Sequence, residues 1–185
     1  MADDKLLHDA QRLLSTGKHS ESIDRFSEYI VSGGEGEAAL LGRGIAYLCA
    51  DQADNAIRDF GAVIRMDTQN FLAYFYRGTA FIAREDYKEA VADLDRTLEL
   101  RPDHGPAYLA RGAVYAILGN KYEASRNIRT AMKLSYGQMH GLMLQDSALE
   151  VRLDRSMDFI RRGKGPDVIT LTDDQTVRSA RSVRE

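Results

Sequence analysis

The residues that could carry chemistry in this 185-residue chain are few and widely spaced. His8, His19, His104 and His140 stand apart, with no second ligand at the short intervals a zinc site uses, so each is expected to face solvent and no metal site is expected. Cys49, the single cysteine, lies between Leu48 and Ala50 and reads as a small packed hydrophobe rather than a reactive thiol. Gly33-Gly34-Glu35-Gly36 and Gly163-Lys164-Gly165-Pro166 are rich in glycine, but neither follows a strand pattern or completes a phosphate-binding loop, and both read as hinges. With no nucleophile beside a base and no cofactor cradle, the chain is expected to be non-catalytic and to carry no cofactor.

One charged pattern recurs. Arg43 and Arg77 each precede an acid, Asp59 and Asp93, by sixteen residues, a spacing that sets a base on one helix opposite an acid on the next. An ion pair inside one structural unit is preferred over a ligand site. Arg111 meets Asn127 at the same spacing and is left without an acid there, free to contact something else.

These arginines open the elements that must hold them. Arg43-Gly44-Ile45-Ala46-Tyr47, Arg77-Gly78-Thr79-Ala80-Phe81 and Arg111-Gly112-Ala113-Val114-Tyr115 recur every 34 residues, and the period divides the chain into blocks 3–36, 37–70, 71–104 and 105–138 without a gap. The eighth place of each block is small (Ala10, Gly44, Gly78, Gly112), and so is the twentieth (Ser22, Ala56, Ala90, Ala124). Two helices crossing closely need small residues at the contact, so each block is expected to be a helical hairpin. Bulky columns surround the contact: Leu6, Leu40, Tyr74 and Tyr108, then Leu13, Tyr47, Phe81 and Tyr115, then Phe26, Phe60, Leu94 and Ile128. Breakers fall at Ser15-Thr16-Gly17, Ser32-Gly33-Gly34, Arg101-Pro102-Asp103 and Gly119-Asn120. A single hairpin leaves an apolar face open, so neighbours must stack.

This set of columns resembles the tetratricopeptide repeat over about three-quarters of the chain. The third block, with Tyr87 before Ala90 and Pro102 at its close, matches nearly every signature position, and the first, with Ala10, Ser22 and Gly34, departs most. The resemblance implies an all-α, right-handed superhelical solenoid of four hairpins. Beyond Gln138 the small columns are lost to Asp146 and Asp158, while Leu142, Leu149, Leu153, Met157 and Ile160 fall on one stripe, which predicts a capping helix over 139–162 and a flexible or docked tail over 163–185.

Members of this family bind peptides on a concave face lined by their first helices, which implies a protein partner here. At the implied lining positions the second repeat offers Leu41, Ile45 and Leu48, the third Leu72, Phe75, Thr79 and Ile82, and the fourth Leu109, Ala113 and Ile117. Phe75 and Ile82 are the expected central anchors. An exposed apolar trough marks an interaction site, and its expected occupant is an amphipathic or apolar-anchored segment, making the chain an adaptor, scaffold or chaperone. Occupation by the chain's own C-terminal segment is an alternative, and tighter coiling that buries these columns against one another is another. One branch of the family clamps chaperone carboxylate tails with Lys, Asn and Arg. Those positions hold Leu7, Gln11, Gly42, Leu72 and Tyr76 when counted from the first repeat, or Leu41, Ile45, Tyr76, Pro106 and Ala110 from the second, so such tails are not expected partners.

Charge narrows the partner classes further. With 25 Lys and Arg against 28 Asp and Glu, the net charge of -3 argues against nucleic acid. No apolar stretch reaches membrane-spanning length, and a charged opening, MADDKLLHDA, with a single cysteine points to the cytoplasm. By block the charge runs -3, -2, -2 and +4, with the remainder neutral. Oppositely charged ends would let copies join head to tail as a homo-oligomer, the runner-up function.

Overall fold

A computed structural model describes residues 2–34 and 36–145, with side-chain surroundings from 5 to 134 apart from residue 35. Its described residues form eight α-helices: α1 (Ala2–Ser15), α2 (His19–Val31), α3 (Gly36–Cys49), α4 (Ala53–Met66), α5 (Phe71–Ala83), α6 (Tyr87–Leu100), α7 (Gly105–Ile117) and α8 (Lys121–Gln145). The even-numbered helices start at His19, Ala53, Tyr87 and Lys121, 34 residues apart each time, so the sequence period is also the structural one. Each described helix packs mainly on the one before and the one after it, and slighter next-but-one contacts join α1 to α3, α3 to α5 and α5 to α7. This is an all-helical solenoid, built by stacking rather than around one central core.

The small columns make the hairpin crossing. A Cβ on Gly44 would stand 2.6 Å from the Phe60 ring, one on Gly78 3.2 Å from Leu94 and 3.4 Å from the Ala90 carbonyl, and one on Gly112 3.0 Å from Ile128. The bulky column lies directly over the glycines, and Phe60 and Leu94 are fully buried. Each such side chain contributes roughly 2–3 kcal/mol of hydrophobic burial. In the divergent first hairpin Ser22 is buried and donates through its hydroxyl to the Ala10 carbonyl at 2.9 Å, so a hydrogen bond satisfies the polar group at that crossing.

The turn inside each hairpin closes through one residue with left-handed backbone. These are Gly17 (φ 76°), Asp51 (φ 59°), Glu85 (φ 67°) and Gly119 (φ 77°), all at the fifteenth place of the block. Two of the four lack the glycine that this conformation favours. Between hairpins, side-chain caps start the new helix: Asn70 accepts from the Ala73 N–H at 3.0 Å, and Nδ1 of His104 accepts from the Ala107 N–H at 3.2 Å.

At the C-terminal end α8 runs unbroken from Lys121 to Gln145, past Gln138 where the repeat register ends in the sequence. Gly137 and Gly141 lie near that position without a proline, and isolated glycines weaken a helix without ending it. The rest of the expected capping helix and the 163–185 tail lie outside the described residues.

Candidate functional site

The expected binding face divides into a closed ridge and open flanks. Leu48, Phe75 and Ile82 are buried and belong to the main hydrophobic core with Phe60, Tyr76 and Leu94. Phe75 is 3% exposed, its ring 5.3 Å from that of Tyr76 and 4.7 Å, edge-on, from His104. The loop that starts the fourth hairpin therefore covers the residue expected to be the central anchor. Leu41, Ile45 and Leu72 are half-buried and pack against that core. Thr79 is half-buried and turns its hydroxyl to the Phe75 carbonyl at 2.9 Å. Leu109, Ala113 and Ile117 are half-buried on α7. Part of this face is thus buried, and half-buried apolar residues remain beside it.

His104 corrects the expectation that the histidines face solvent. Its ring lies edge-on to both Phe71 (5.5 Å) and Phe75 while Nδ1 caps α7, an arrangement that requires the neutral imidazole as acceptor. Burial pulls its pKa down to about 4, with the charge of Arg101 acting in the same direction and that of Asp103 against it. Nothing in sequence spacing marks this role, because a histidine cap differs from a surface histidine only in what packs on it.

The arginine column forms a ladder between helices. Arg43 donates to both Asp59 carboxylate oxygens, at 2.8 and 2.9 Å, and reaches back to the Ser27 hydroxyl of the preceding hairpin at 3.1 Å. Arg77 holds Asp93 in the same two-pronged way, at 2.7 and 2.8 Å. The Asp59 and Asp93 hydrogen bonds stabilise the charged guanidinium and raise the Arg43 and Arg77 pKa values, with burial opposing. Arg111 is not free, contrary to expectation. It donates to the Asn127 amide oxygen at 2.8 Å and pairs with Asp95 of the preceding hairpin. The acid sits in the block before, outside the columns of the repeat that contains Arg111.

Among the described residues no group of three or more His, Cys, Asp or Glu could hold a metal ion, and no helix is long and apolar enough to cross a membrane. Cys49 is buried.

Comparison with known proteins agrees with this geometry. A tetratricopeptide repeat family model matches residues 41–104 and 75–126. No curated protein matches the chain. Among solved structures, the crystal structure of MamA is similar at 19% identity and TM-score 0.67, over 75% of this chain and 81% of that one. MamA 41-end from Desulfovibrio magneticus RS-1 is similar at 17% identity and TM-score 0.69, over 74% of this chain and 77% of that one. At these identities the likeness concerns the fold, which in general serves protein interaction. Repeat period, hairpin crossing and family match together identify residues 41–126 as tetratricopeptide repeats.

Proposed function

We propose that the chain is a non-catalytic adaptor or chaperone that holds an amphipathic or apolar-anchored segment of a partner protein along its first helices. The observation that supports this is the set of half-buried apolar residues on the first helices, Leu41 and Ile45 on α3, Leu72 on α5, and Leu109, Ala113 and Ile117 on α7. A partner side chain laid there would remove apolar surface from water at about 25 cal/mol per Å² without first opening the core. Phe75 and Ile82 then serve as the floor on which those contacts rest. The assigned compartment is the cytoplasm.

Capture by the full-length chain tests the reading. A Leu72→Asp/Leu109→Asp variant that keeps its helical signal should lose a partner that the parent retains. Retention of every partner by the folded variant removes this face from consideration. Truncation after Gln145, which leaves α8 whole, tests whether the C-terminal segment occupies the face, because capture then rises.

A second reading rests on charge. Lys121, Arg126, Arg129 and Lys133 are exposed on α8, with Glu123 the one acid among the described residues of that helix, while the first three blocks are acidic. Head-to-tail assembly through these ends would be weakened by salt. Sedimentation showing the same monomer at low and high salt ends this reading.

A further inference from the structure

The arginine ladder has one missing rung. Arg43 reaches back to Ser27 and Arg111 reaches back to Asp95, each at the twenty-fifth place of the preceding block. For Arg77 that place is Gly61, which has no side chain to offer, and the Arg77 Nη1 makes no hydrogen bond to a described residue while Nε and Nη2 hold Asp93. A second guanidinium approaches the same point. A Cβ built on Gly61 would lie 3.7 Å from Nη1 of Arg77 and 3.7 Å from Nη1 of Arg65, and Arg65 has no acidic partner among the described residues. Two like charges brought to one position without an acid between them repel each other.

Nothing steric requires the glycine. Gly44, Gly78 and Gly112 sit where a Cβ would press on a neighbouring side chain, whereas at Gly61 the same atom would meet ordinary contact distances only. A glycine inside a helix costs about 1 kcal/mol relative to alanine, and here no closer packing of helices offsets it. Gly61 is itself buried, and the two guanidinium groups flank the place a side chain there would take.

The geometry points to a carboxylate-binding notch at Gly61, in which Arg65 and Arg77 together receive an Asp or Glu side chain from a partner protein. The fourth hairpin contains the internal counterpart, since the Asp95 carboxylate fills the equivalent position against Arg111. Arginine suits the role because its planar donors can serve two carboxylates at once, and Arg77 already commits two of its nitrogens to Asp93. The Asp59 carboxylate is held by Arg43, so the nearby acids are engaged elsewhere. This site is separate from the apolar first-helix face and stands whether or not that face binds a partner.

The test is a titration of the full-length chain at low salt, followed through the arginine Nε–Hε resonances, with N-acetyl-hexaglutamate amide in one arm and citrate in the other. Hexaglutamate should shift Arg65 and Arg77 together to saturation while Arg12 and Arg58 stay nearly still. Gly61→Asp, which supplies the missing carboxylate from the chain itself, should weaken that binding about tenfold or more and raise the thermal midpoint. Arg65→Gln, an exposed change that leaves the fold intact, should weaken it severalfold and covers the case in which Gly61→Asp fails to fold. Equal shifts at all exposed arginines, or undiminished binding by Arg65→Gln, overturn the site. Tighter binding of citrate than of hexaglutamate overturns the assignment to a protein carboxylate in favour of a free small anion.

Discussion

His104 lies edge-on against Phe75, ring centroids 4.7 Å apart, and the same imidazole caps α7 by accepting the Ala107 N–H. One neutral histidine thereby joins the third hairpin to the fourth. Its folded pKa of about 4 stands below the ordinary 6.5, so the unfolded chain binds the proton more readily. This contribution to stability is complete above about pH 6.5 and is lost as pH falls toward 4, by as much as about 3 kcal/mol. Urea unfolding of the parent and of His104→Asn, a substitution that keeps a capping oxygen, should show the parent losing more stability between pH 7.5 and 4.5. Equal losses would mean that His104 is charged in the folded chain.

Phe75→Ala should destabilise the protein by about 3–4 kcal/mol, the cost of opening a cavity beneath His104 and beside Tyr76. Leu109→Ala, on the open flank, should cost about 1 kcal/mol or less. The two urea midpoints check this directly, and equal losses would place Leu109 in the core.

Asp59 and Asp93 are buried to 7% and 6% exposure, each holding an arginine through two hydrogen bonds. Removing either acid leaves a partly buried guanidinium without its counter-charge, so Asp59→Ala and Asp93→Ala should each cost about 3 kcal/mol. The Asp95–Arg111 pair is more open, with the Asp95 side chain 47% exposed, and a double-mutant cycle on it should return about 1 kcal/mol or less. A larger coupling at the open pair than at the buried ones would contradict this ordering.

Asp51 and Glu85 hold left-handed backbone at φ 59° and 67° in the places where Gly17 and Gly119 serve the other two hairpins. Asp51→Gly and Glu85→Gly should stabilise by about 0.5–1 kcal/mol, since relief of backbone strain exceeds the added entropy of the unfolded chain. Thermal midpoints rising by a few degrees would confirm it, and falling midpoints would show that these side chains contribute more than the strain removes.

The hairpins were legible because their determinants repeat. Gly44, Gly78 and Gly112 share one column, and a column is visible without coordinates. The Arg43–Asp59 and Arg77–Asp93 pairs were legible for the same reason. What failed to show was whatever depends on a neighbouring block: Asp95 reaching forward to Arg111, and His104 closing over Phe75. The first-helix columns were apolar either to bind a partner or to pack, and their composition is the same in both cases. Only packing distances separate Phe75, which is covered, from Leu109, which is half-open.

Site-specific photo-crosslinking with the full-length chain in source-cell lysate tests the central claim most directly. A photoreactive residue placed in turn at Leu72, Leu109 and Ile117 should trap one and the same partner protein, while placement at exposed Val31 or Tyr122 should not. Trapping at Val31 or Tyr122 with none at Leu72, Leu109 or Ile117 would contradict the account and move the interaction surface away from the first helices.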